Sequence, residues 1–153
     1  MRPNLPSHAV SDTGALGTTV WQLRRALRRG LRVDPRWEEL PMAQVELMQC
    51  LAEQPGLKIG QLAKSLRLAP NTVSTLVAQL TGKGLLEAGR DVADGRARLI
   101  RLTVAGVQRL EQWQDAHDRM IADAVMRLPA DQRAALLAAL PALDSLSTIL
   151  DGR

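Results

Sequence analysis

Between Lys58 and Thr103 the hydrophobic spacing changes from a helical period to a strand period, with sharp breaks between the segments. Ile59, Leu62, Ala63 and Leu66 recur at helical spacing, and Arg67-Leu68-Ala69 interrupts them. From Pro70 to about Lys83 a second stripe follows, with Val73, Leu76, Val77 and Leu80 at i, i+3, i+4 and i+7. Proline suits the first position of that helix, and Gly82-Lys83-Gly84 ends it. Leu85 to Arg90 then reads as a strand, and Arg98 to Thr103 alternates polar and apolar residues at period two. Asp94-Gly95 favours a tight turn in the intervening D-V-A-D-G-R-A. A short helix, a three-residue turn, a longer helix and a hairpin predict a helix-turn-helix carrying a wing. An αα-hairpin in any helical domain would show the first part of this pattern; the hairpin is the discriminating part.

The second helix would bury its apolar stripe and leave Asn71, Ser74, Thr75, Ala78 and Gln79 opposite. These side chains are small or short and polar, so the helix backbone could approach a DNA groove and present donors and acceptors to base edges. Residues 58–103 hold eight basic and three acidic side chains, whereas 1–57 hold seven and six, and 104–153 five and seven. The positive excess therefore falls on the candidate reader, where a phosphate backbone would attract it and make binding salt dependent. A solvated basic face explains the same tally. At the hairpin tip Arg96, with Arg98 close behind, could enter a minor groove, and Asp94 could aim the Arg96 guanidinium by pairing with it. Lys83, at the end of the helix, completes the cationic candidates.

The remaining chain is read as helices that flank this reader. Residues 1–14, with Pro3, Pro6 and Gly14, predict a flexible arm. A helix is expected from about Ala15 to Arg32, with Val20, Leu23, Leu27 and Leu31 on one edge and a run of arginines alongside. Those arginines suit either DNA phosphates or a solvated flank. Asp34-Pro35 breaks that helix, and Pro41 introduces another from Met42 to Glu53, stopped by Gln54-Pro55-Gly56. Thr103 is an N-cap candidate for a long helix from Val104 to Leu128, and Pro129 starts a last, strongly apolar helix that Pro141 kinks or splits. An apolar terminal helix with little chain left to cover it predicts burial against a second subunit, or else against its own chain. The expected organisation is one domain over 1–153, mainly α with a small β-hairpin wing: a winged helix-turn-helix over 42–103, and dimerisation helices over 15–40 and 104–153.

Other classes find little support. Cys50 is the sole cysteine, which excludes an internal disulfide and a cysteine zinc cage; it is expected to be a buried small residue, with oxidation sensing as the alternative. His8 and His117 show no metal-site spacing, so neither a metal nor another cofactor is predicted. No G-x-S-x-G elbow or phosphate-cradling glycine loop is present, which argues against an enzyme. No run is apolar and long enough for a signal peptide or membrane span, so a soluble cytoplasmic protein without a membrane partner is expected.

Taken together, I-G-Q-L-A, T-V-S-T-L-V-A-Q-L, G-L-L-E and D-G-R-A-R-L-I-R-L-T resemble the MarR family of winged-helix transcription regulators, over about residues 15 to 150. The resemblance implies a homodimer whose first and last helices interleave, a pseudo-palindromic double-stranded operator, and repression relieved by a small aromatic or anionic effector. It places Asn71, Thr72, Ser74 and Thr75 at positions that touch bases or phosphates, Asp94 as the wing carboxylate, and Arg96 as the minor-groove arginine. Departures are informative. Thr75 stands where many relatives carry Arg, Ala88 and Gly89 replace basic residues before the wing, and Ala69 supplies no side-chain cap. With no Tyr or Phe, an aromatic effector pocket would draw on Trp21, Trp37 or Trp113, although a tryptophan is more often core or interface packing than a ligand contact. The alternative function is a winged-helix module that binds proteins without specific DNA binding.

Overall fold

The computed structural model describes residues 7–31, 40–90 and 98–152. Among them the elements run α1 (Ser7–Leu31), α2 (Met42–Glu53), α3 (Ile59–Leu66), α4 (Pro70–Gly82), β1 (Leu86–Arg90), β2 (Arg98–Leu102), α5 (Val104–Met126), α6 (Ala130–Ala138) and α7 (Leu140–Asp151). The chain divides into two compact units, Met1–Gln114 and Asp115–Arg153, the boundary falling within α5.

The core of the first unit is built around α2, whose Val45, Leu47, Met48 and Leu51 are at most 1% exposed. Against these pack Leu62 of α3, Val73 and Leu80 of α4, Leu86 of β1, Ile100 of β2, and Leu110 and Trp113 of α5. Burying each leucine fully contributes about 1.5–3 kcal/mol. Few aromatic residues are needed because branched aliphatic chains from five neighbouring elements converge on one helix.

Local chemistry sets the joints between these elements. Gln61 Oε1 accepts the Lys58 N–H at 2.9 Å, satisfying a donor at the start of α3. The turn after α3 passes through Arg67, whose φ of 52° is left-handed, and the Leu68 N–H returns to the Ala63 carbonyl at 3.0 Å. Gly84, with φ of 71°, closes α4 in the same way, Leu85 N–H reaching Leu80 O at 3.0 Å. β1 and β2 are antiparallel, in register from Leu86↔Leu102 to Arg90↔Arg98. The α2–α3 connection adds a bridge to the far edge of β2: Ile100 N–H donates to Leu57 O at 2.9 Å and Gly56 N–H to Ile100 O at 3.2 Å.

Two sequence expectations change. α1 begins at Ser7 rather than Ala15, so residues 7–14 of the expected arm are helical; Pro6 stands just before it, where proline suits a helix start. The last helix is split outright: α6 ends at Ala138, α7 starts at Leu140 with Pro141 in its first turn, and the two are bent by 42°. The break at Asp34-Pro35 lies outside the described residues.

Apolar exposure is concentrated on particular helices. In the second unit neither α6 nor α7 buries a residue, and Leu137, Leu140, Ile149 and Leu150 are each more than half exposed. Trp21 and Leu23 of α1 are 60% and 58% exposed. Among the described residues no single helix is long and apolar enough to cross a membrane; α6 and α7 reach that apolarity only when taken together across their bend.

Candidate nucleic-acid interface

α4 is amphipathic in the manner the sequence predicts. Val73, Val77 and Leu80 are buried and Leu76 is half-buried against the core, while Asn71, Thr72, Ser74, Thr75, Ala78 and Gln79 are exposed. The side chains of Asn71, Ser74, Thr75 and Gln79 are already oriented by hydrogen bonds. Asn71 Oδ1 accepts the Thr72 N–H at 2.9 Å, which caps the helix start that Ala69 leaves without a side-chain acceptor. Because a backbone N–H can only donate, the amide hydrogens of Asn71 are left for an outside acceptor. The hydroxyls of Ser74 and Thr75 donate to Pro70 O at 2.8 Å and Asn71 O at 3.0 Å, so in this state they offer lone pairs. Bonding a phosphate as donors would require both hydroxyls to turn away from the helix backbone.

Gln79 lies one turn beyond Thr75, and its Oε1 accepts from Gln44 Nε2 of α2 at 2.9 Å. Lys83 Nζ donates to Gln44 Oε1 at 3.4 Å. Lys64 and Arg67 are exposed beside α4 in sequence, and Arg98 is exposed at the start of β2. Arg98 pairs in register with Arg90, so both strands carry an arginine at the end of the hairpin joined by residues 91–97. Asp94 and Arg96 lie outside the described residues, as does Trp37.

The wing is anchored at its other end by Thr103. Its hydroxyl donates to Gly84 O at 2.7 Å and accepts the Gly106 N–H at 3.0 Å, which makes it the N-cap of α5 as the sequence suggests. Sequence reasoning passed over Gly106, Gln44 and the Leu57 bridge. The first could have been noticed as a glycine in the opening turn of a helix; the second is one polar residue in an apolar run.

The tryptophans separate. Trp113 is 6% exposed within the core and packs there. Trp21 is exposed on α1 with the Arg25 guanidinium 5.6 Å from its ring centre, a cation–π distance. A concavity of about 530 Å³ there is lined, among the described residues, by Trp21, Arg24, Arg25, Arg28 and Arg29. Cys50 is half-buried against the core.

A short helix, a tight turn, a helix with one buried and one polar face, and a following antiparallel hairpin define a winged helix-turn-helix protein. The MarR family model matches residues 40–97. A putative transcriptional regulatory protein for the hcr operon of Thauera aromatica is 29% identical over 94% of this chain and 92% of its own. A MarR family protein from Bacillus stearothermophilus has the same fold, with a TM-score of 0.74 at 23% identity over 94% of this chain and 99% of that one. PcaV of Streptomyces coelicolor, a transcriptional regulator solved in complex with its natural ligand, is 25% identical with a TM-score of 0.58, covering 88% of this chain and 92% of that one. Over residues 40–97 the chain matches the MarR family, and over most of its length it is similar to transcriptional regulators of that type.

Proposed function

We propose that this protein is a homodimeric, sequence-specific regulator that acts in the cytoplasm as a repressor and is released from a pseudo-palindromic operator by a small aromatic or anionic effector. The observation that carries the reading is the division of α4: three buried apolar residues fix the helix to the core, and its short polar side chains are exposed and pre-oriented. Asn71, Thr72, Ser74, Thr75 and Gln79 would read the major groove, with Lys83 and Arg98 on phosphates. Asp94 and Arg96 would serve the minor groove. The exposed leucines of α6 and α7 in the second unit, and the apolar edge of α1 in the first, are each apolar exposures of the kind a second subunit covers. PcaV was solved in complex with its natural ligand, and on this chain Trp21 with the α1 arginines offers chemistry suited to an aromatic anion.

The reading is tested by selecting duplexes from a randomised pool and titrating the winners with salt. Enrichment of an inverted repeat, with half-sites roughly 34–36 Å apart and a steep fall of log K with log salt, is the expected result. A pool that stays random would refute sequence-specific reading. A lone, unrepeated half-site would refute the dimer.

A further inference from the structure

We infer that Gln44 is a positioning residue that fixes which way the Gln79 amide faces, its N–H donors outward, and so sets the base preference of the recognition helix. The inference rests on the reading of α4 as the element that enters the major groove. Gln44 is 3% exposed and sits on α2 among Val45, Leu47 and Met48. Its side-chain amide joins two residues one turn apart on α4, donating through Nε2 to Gln79 Oε1 at 2.9 Å and accepting through Oε1 from Lys83 Nζ at 3.4 Å.

The orientation of this chain of bonds follows from its cationic end. An ammonium has donors only, so the Gln44 oxygen must face Lys83 and the Gln44 nitrogen must face Gln79. That nitrogen in turn requires the oxygen of Gln79. The exposed Gln79 is therefore left with its own N–H donors for a partner outside the protein. An unrestrained glutamine can hold adenine with both amide ends, accepting from N6 and donating to N7. Gln79 held by Gln44 has one lone pair of its oxygen occupied and that oxygen drawn toward α2, so its N–H donors are the part turned outward. It selects base edges that accept, guanine N7 and O6 or thymine O4, over the donor at cytosine N4.

Duplex selection with the wild-type protein, Gln79→Ala and Gln44→Glu tests this. Gln79→Ala should flatten the preference at one base pair in each half-site, which identifies the base that Gln79 faces. In Gln44→Glu the carboxylate still accepts from Lys83 but can only accept from Gln79, so the Gln79 amide turns and presents its oxygen outward. The preference at that base should then move to cytosine or adenine by about tenfold or more, with the rest of the operator unchanged. A residue with a purely structural role would weaken binding without inverting one base pair. If Gln44→Glu does not melt cooperatively, Gln44→Met takes its place: it keeps the length, removes both hydrogen bonds and should broaden the preference at that base alone. An unchanged preference in the folded variant overturns the inference, as does a Gln79→Ala protein that selects the wild-type operator. If the wild-type protein enriches no sequence, the DNA reading itself fails, an outcome distinct from either.

Discussion

The carbonyl oxygen of Leu85 occupies the space in which a side chain at Gly106 would begin. An ideal Cβ on Gly106 would overlap that oxygen and stand 3.1 Å from the Leu85 carbonyl carbon and 3.2 Å from Leu102 Cδ2. The opening turn of α5 therefore rests on the residue that links α4 to the wing. Thr103 reinforces the joint through its bonds to Gly84 and Gly106.

Gly106→Ala should destabilise the protein by about 1–3 kcal/mol, because backbone rather than a flexible side chain must yield. Urea unfolding should show the midpoint falling with little change in slope. A midpoint equal to wild type would mean that the contact is looser than its geometry indicates.

Thr103→Val keeps the shape and removes the hydroxyl that caps α5 and bonds Gly84. The expected loss is about 1–2 kcal/mol, and Thr103→Ser should recover most of it. Equal melting temperatures for the valine and serine variants would show that neither bond contributes.

On the DNA side, Arg96→Ala should weaken duplex binding and reduce the slope of log K against log salt by about one. Ser74→Ala should instead change base preference at a fixed operator position. Should Arg96→Ala leave both affinity and slope at wild-type values, the wing does not reach the DNA.

The exposed apolar positions Leu137 and Ile149 predict self-association. Replacing both with Asp should raise the dimer dissociation constant by at least about tenfold, an order expected from charges placed in an apolar interface. Sedimentation equilibrium would measure it, and a wild-type protein that is monomeric at every concentration would contradict the prediction.

Elements bracketed by their own stop signals were the most legible in the sequence. α2 runs from Met42 to Glu53 as read, between Pro41 and Gln54-Pro55-Gly56. The buried and exposed sides of α4 also fall where the spacing of Val73, Leu76, Val77 and Leu80 places them. The start of α1 was not legible because Ser7 to Gly14 carries no apolar stripe and includes residues that also favour turns. The Leu57–Ile100 bridge is a single pair and leaves no period to detect. Gln44 could not be distinguished from any polar residue on a half-buried helix until α4 brought Gln79 and Lys83 to it. For the site, residue types pointed to the helix face, whereas the direction in which each amide and hydroxyl points is a property of three-dimensional neighbours.

The bridge at Leu57 also bears on how the molecule avoids unwanted association. At Ile100, β2 is paired on both sides, so among the described residues β1 is the strand of the hairpin with no second neighbour. That strand has only five residues, two of them the oppositely charged Glu87 and Arg90, with Gly89 between. Short, charged and glycine-containing edges are poor templates for strand addition. The described part of the hairpin thereby presents little that another copy could zip onto as continuous β-sheet.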